Sequence, residues 1–198
     1  MNLEPTKRIS LLERFDHTFY WQCVKDFIPR LLSDFDRNPS SATYGCFDRD
    51  YWHLKVRDFP NQNKQVGTWA LALLTSHTFA GENELYQSNQ LKEWVRAAIL
   101  FSSKQSNDGS CGEFFPNEKS YFTAAVTLSA YIDSVEQCEI SLDEELKSFF
   151  VKRSNWLANH QEQTGVANHL AIGSLALFQA SRLLGNTFLE KKAHDALR

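Results

Sequence analysis

Two kinds of helical segment alternate along this chain, and the alternation limits its fold more than any other feature. Segments 66–79, 120–135 and 167–184 are rich in Ala, Gly, Ser, Thr and Leu on nearly every face. A helix of that composition is buried on most sides, and its small residues let neighbours approach closely. Segments 9–35, 89–106 and 143–159 place apolar residues at three- and four-residue steps and carry Lys, Arg, Glu and Asp on one face. Such helices turn one side to solvent. No segment shows sustained period-two alternation, so no sheet is expected. The expectation is an all-α chain in which inner and outer helices form antiparallel hairpins, with residues 1–198 as a single all-helical domain.

Local signals place the boundaries. The first helix is expected to run unbroken from Ile9 to Phe35, and a polar connection follows to about Gln65. Gly81 lies past the helix at 66–79, where a C′ glycine is expected. Ser88 caps the helix from Asn89, and Ser141 with Glu144 matches a capping box for the helix through Asn159. The last long helix, Ala167 to Leu184, closes at Gly185-Asn186, and a final helix starts near Thr187.

The hairpins repeat in sequence. Phe59-Pro60-Asn61 recurs as Phe115-Pro116-Asn117 and Gln105-x-x-x-Gly109 as Gln161-x-x-x-Gly165, both 56 residues on. Asn61, Asn117 and Asn168 each precede or open an inner helix. A period of this length exceeds the roughly 34 residues of a tetratricopeptide unit and the roughly 40–47 of HEAT and armadillo units. It suits a two-helix hairpin with a long loop entering each inner helix.

Charge and composition exclude several classes. The net charge is −3, and no basic block is present to neutralise a nucleic-acid backbone. No run of 18 apolar residues suggests a membrane span, and the N-terminus lacks the apolar core of a secretory signal. Cys23, Cys46, Cys111 and Cys138 form no C-x-x-C pair, so free thiols in a reducing cytoplasm are expected, with no metal and no organic cofactor.

Aromatic and polar residues crowd the loops before the inner helices. The runs Gly45-Cys46-Phe47-Asp48-Arg49-Asp50-Tyr51-Trp52-His53, Arg57-Asp58-Phe59-Pro60-Asn61 and Asp108-Gly109-Ser110 with Glu113-Phe114-Phe115-Pro116-Asn117-Glu118 carry this pattern. Together with Asn168-His169-Leu170, which opens a small-residue helix, they resemble bacterial (α/α) toroid proteins related to heparinase II/III-like and alginate lyases, which often accompany polysaccharide gene clusters. The resemblance covers residues 44–184 loosely. It implies an α/α toroid, and this chain supplies about three and a half hairpins of it. An incomplete ring, the N-terminal part of a larger toroid, is therefore expected. Its open apolar inner face would favour self-association or pairing with a missing C-terminal half.

The implied activity acts on, or binds, an acidic poly- or oligosaccharide, by elimination first and glycoside hydrolysis second. For elimination, the resemblance assigns Asn168 to neutralising the substrate carboxylate and His169 to proton transfer, a role a histidine fills near neutral pH. Arg57 is suited to bidentate contact with a uronate. For hydrolysis, Asp58 and Glu113 precede the repeated Phe-Pro-Asn and would act as acid and base. Tyr44, Tyr51, Trp52, His53, Asn61, Phe115, Asn117 and Glu118 are candidate sugar contacts. Each has a plainer alternative: packing for the aromatics, and helix capping for Asp58, Asn61, Glu113, Asn117, Glu118 and Asn168. Phe59 and Phe114 are read as packing, and His17, His77, His160 and His194 as structural. Two other readings are a non-catalytic helical scaffold and a terpenoid-cyclase-like toroid. The latter lacks the D-x-D-D or D-D-x-x-D cluster its chemistry needs.

Overall fold

A computed structural model describes residues 17–81, 83–115, 117–162 and 165–196. These residues are helical, with no strand among them. Nine α-helices are described: α1 (His17–Lys25), α2 (Ile28–Asp34), α3 (Arg49–Trp52), α4 (Gly67–Ser76), α5 (Asn89–Ser103), α6 (Tyr121–Gln137), α7 (Glu144–Ala158), α8 (Ala167–Leu184) and α9 (Thr187–Asp195). None is long and apolar enough to cross a membrane.

The expected helix at 9–35 is divided. Residues 9–16 lie outside the described part, and α1 stops before α2 begins with Pro29 in its first turn. Proline has no N–H to continue the ladder of α1, whereas a first turn asks for none. Two cap expectations also change. α7 is capped by Asp143, whose Oδ1 accepts the Leu146 N–H at 3.0 Å, and Ser141 lies outside the helix. A carboxylate at that position also offsets the helix dipole. α4 ends at Ser76 with His77 as its C-cap, and Gly81 instead closes a short 3₁₀ turn, Phe79–Gly81. Other local signals hold: Ser88 caps α5, and Gly185, at φ +64°, ends α8. Ser120, not singled out from the sequence as a cap, caps α6.

Packing sorts the helices by composition. α4 lies against α6 and α6 against α8, while α5 packs on α7 and α7 on α9. Consecutive pairs α4/α5, α6/α7 and α8/α9 also touch. α6 is the centre of the inner row, and twelve of its residues are buried, among them Ala124, Ala125, Leu128 and Tyr131. α8 is buried through Gly173, Ser174, Ala176, Leu177, Ala180 and Ser181 but leaves Leu175 and Phe178 exposed on its other side.

The loops before the inner helices are anchored in the same way. Gly45, at φ +96°, lies so close to α5 that an added Cβ would stand 2.3 Å from the Ala97 carbonyl oxygen. Gly109, at φ +85°, approaches α7 equally, 2.4 Å from the Lys152 carbonyl oxygen. Each turn thus closes on the backbone of an outer helix where no side chain fits.

Cys46, Cys111 and Cys138 are buried, while Cys23 is exposed. Burial pushes the Cys46 thiol up to about 12 and the Cys138 thiol up to about 11. A thiol reagent added to native protein is expected to modify Cys23 first and the other three only as the chain unfolds. One common rate for all four would contradict this. The folded pKa values lie above the unfolded value of 9.0. The unfolded chain therefore loses these protons first, so stability is level below that pH and falls as pH rises above it. The slope is about 1.4 kcal/mol per pH unit for each thiol. Alkaline urea titrations check the sign.

Candidate functional site

A cavity of about 450 Å³ opens where the start of α6, the end of α7 and the start of α8 meet. Its chemistry centres on His169, in the first turn of α8. The His169 Nδ1 lies 3.1 Å from Glu162 Oε2, and the ring stacks on Phe122 at 4.4 Å. The Glu162 side chain is only 6 % exposed and that of His169 25 %, so the contact is largely shielded from water. With Nδ1 donating to Glu162, Nε2 carries the lone pair and can accept a proton.

Tyr121, the first residue of α6, supplies a hydroxyl beside this pair. Burial, together with the Glu162 charge, raises its pKa above the ordinary tyrosine value. Its hydroxyl presses on α8 at Gly173, where an added Cβ would stand 2.2 Å from it. A glycine inside a helix costs roughly 0.5–1 kcal/mol relative to alanine, and the close approach of Tyr121 accounts for it here. Trp156 stacks on His160 at 4.2 Å and completes an aromatic wall. The Trp156 Nε1 is buried and has no partner among the described residues.

Of the expected site residues, the cavity is lined by Glu113, Glu118 and His169. Glu113 Oε2 accepts from the Ser120 hydroxyl at 3.0 Å, next to the cap of α6. Glu118 does not cap the helix. Its Oε2 accepts the backbone N–H groups of Glu113, Phe114 and Phe115, which fold the loop around it and hold its carboxyl below the usual range. Asn168 is exposed beside His169, and α8 starts with Val166 as its N-cap, so Asn168 is not the cap. Phe115 and Asn117 are exposed and line a neighbouring cavity of about 320 Å³. Asn117 turns the chain at φ +63° rather than capping α6, which Ser120 does.

The first loop gives Phe59, Pro60 and Gln62 to the neighbouring cavity, but most of its expected site residues lie away from both. Tyr44, Tyr51, Trp52, His53, Arg57 and Asp58 line neither cavity. Asp58 and Arg57 are exposed, and Asp58 is not brought together with Glu113 in either cavity. The Trp52 Nε1 donates to the Asp34 carbonyl at 2.8 Å and fastens α3 to α2. Tyr44 is half-buried, and burial raises its pKa, aided by Glu93 and Asp36. Asn61 is buried and forms a turn through its side chain to the Asn63 N–H, leading into a 3₁₀ helix rather than capping α4.

Sequence reasoning missed Tyr121, Glu162 and the part of His160 and Trp156 in the cavity wall. Gly173 was the available signal for Tyr121, since a helix-interior glycine implies close approach. Glu162 had no signal, because its role depends on a fold that sets it against His169. Among the described residues no group of three or more His, Cys, Asp or Glu is placed to hold a metal ion. Compared with protein-family models, curated proteins and solved structures, the chain gives no match.

Proposed function

We propose that this chain is a carbohydrate-active α/α arc whose cavity at His169 acts on an acidic polysaccharide by elimination. The observation that carries the reading is the His169–Glu162 pair in an aromatic-walled cavity. In this reading Asn168 donates its amide to the uronate carboxylate and stabilises the charge that develops there. His169 Nε2 takes the proton from the carbon beside the carboxylate. The C–H electron pair forms the C=C bond, and the adjacent C–O bond breaks. Tyr121 gives its proton to the departing glycosidic oxygen. Phe122 and His160 offer ring faces for stacking on a sugar, with the buried Trp156 backing His160.

Incubation with a panel of uronate polymers, followed by ultraviolet absorbance of the unsaturated product, tests the reading. Wild type is expected to generate that absorbance, His169→Ala to lose roughly 10²–10⁴-fold in rate, and Tyr121→Phe to lose roughly 10²-fold. A folded wild-type sample that yields no unsaturated product from any polymer ends the elimination reading, as does an undiminished His169→Ala.

Hydrolysis is the second reading, supported by the presence of both Glu113 and Glu162 on the same cavity. It expects new reducing ends without unsaturation. The scaffold reading draws on the exposed apolar side of α8, Leu175 and Phe178, and expects neither product.

A further inference from the structure

A buried cation without a counter-charge lies beneath the loop of the second hairpin. Arg153, in α7, is 1 % exposed. Its Nη1 donates to Thr127 Oγ1 at 2.9 Å, and its guanidinium carbon stands 5.2 Å from the centre of the Phe149 ring. Its Nε has no partner, and it forms no ion pair, among the described residues. A guanidinium stays charged at any physiological pH, so it cannot escape burial by losing a proton. An unpaired buried charge is costly and calls for a partner.

Packing does not require an arginine here. An added Cβ at Gly109 would meet Lys152 O at 2.4 Å and Arg153 N at 2.8 Å, and at Gly45 it would meet Ala97 O at 2.3 Å and Ala98 N at 2.9 Å. The two turns therefore sit on equivalent places of two outer helices. Where the second helix has Arg153, the first has the fully buried Ala98. The same contact of turn on helix forms with an alanine.

Arg153 lines the cavity of about 320 Å³, together with Gln62, whose Oε1 is also buried and unpartnered among the described residues. The two carboxylates on that wall are engaged elsewhere. Asp108 receives Lys119 Nζ at 2.7 Å, the Ser106 hydroxyl and the Ser110 N–H. Glu118 receives three backbone N–H groups. The positive charge of Arg153 is left unanswered, beside an acceptor that no donor reaches.

We propose that this cavity binds a small oxyanion, a carboxylate or sulfate that is either free or carried on a sugar. Arg153 is its charge partner, and Gln62 Oε1 accepts from a hydroxyl or water held with it. Glu118 and Lys119 also line the cavity at His169, but the proposal does not depend on eliminative chemistry.

The test is titration of the full chain with sodium sulfate, sodium glucuronate and glucose at constant ionic strength, following the Arg153 side-chain Nε–H resonance. A saturable shift with sulfate or glucuronate and none with glucose is expected. Glucuronate well ahead of sulfate identifies a sugar acid, and sulfate at least equal identifies a free inorganic oxyanion. Arg153→Met is expected to weaken that binding by about tenfold or more. Its melting temperature without anion should be unchanged or higher, as when buried ionic groups elsewhere are replaced by apolar ones. No saturable response in wild type overturns the proposal, and so does equal affinity in Arg153→Met. If Arg153→Met does not fold, the wild-type titration decides alone.

Discussion

Alanine at Gly109 is expected to destabilise the chain by about 3 kcal/mol, and alanine at Gly45 by a similar amount. Two costs combine. Both glycines have strongly positive φ, a region that penalises any Cβ. An added Cβ at either would also stand 2.3–2.4 Å from helix backbone, a clash that no rotamer change relieves. The loop must lift from α5 or α7 for the methyl group to fit. Gly185 is the control. It has φ +64° but nothing within 4 Å, so Gly185→Ala carries the backbone cost alone, about 1 kcal/mol. In thermal melts, Gly45→Ala and Gly109→Ala should fall by roughly 6–12 °C, and Gly185→Ala by roughly 2–4 °C. Equal losses at all three positions would mean that the loops are not held against the outer helices.

The second large effect belongs to Asp48. Its carboxylate is fully buried and ties residues 46–50 to residues 61–65. Oδ2 accepts the Asn61 N–H at 2.8 Å, and Oδ1 accepts Lys64 Nζ at 2.8 Å. Gln65 braces the same junction by accepting the Phe47 N–H and donating to the Asn61 carbonyl. Asp48→Ala strands a buried N–H and removes the shielded half of the Lys64 pair, at a cost of about 3 kcal/mol. Asp50 also reaches Lys64, at 3.0 Å, but its side chain is 37 % exposed. Asp50→Ala should cost much less than Asp48→Ala, because solvent screens that contact. Urea unfolding of the two variants separates them, and equal midpoints would remove Asp48 from its anchoring role.

Legibility of the fold followed the range of the interactions. Helix period, the cap Ser88, and the end of α8 at Gly185 all arise within about four residues, so neighbours in sequence reveal them. Composition misjudged burial at α8: it reads as covered on nearly every face, yet six of its 18 residues are buried, against eight of 15 in the charged-face helix α7. Pro29 carried a local signal too, and the strong apolar period on either side of it obscured the break.

The candidate site was legible only in part. His169, Glu113 and Glu118 stood out by motif, and they do meet at one cavity. Asp58 stood out by the same repeat; its neighbours Phe59 and Pro60 meet Phe115 and Asn117 at the other cavity, while Asp58 itself is exposed and lines neither. Tyr121 has a composition typical of a core position and became interesting only through its hydroxyl at Gly173.

By itself, the sequence determined that this chain is all-helical, and where most of its helices start and stop. The tertiary structure decided the pairing of His169 with Glu162, the clamp at Glu118, and the burial of Arg153 where the preceding hairpin has alanine. An arginine on a charged-face helix reads as a solvated cation. Only its contacts with Thr127 and the turn at Gly109, which join segments far apart in the chain, deprive it of water and leave its charge without an answer.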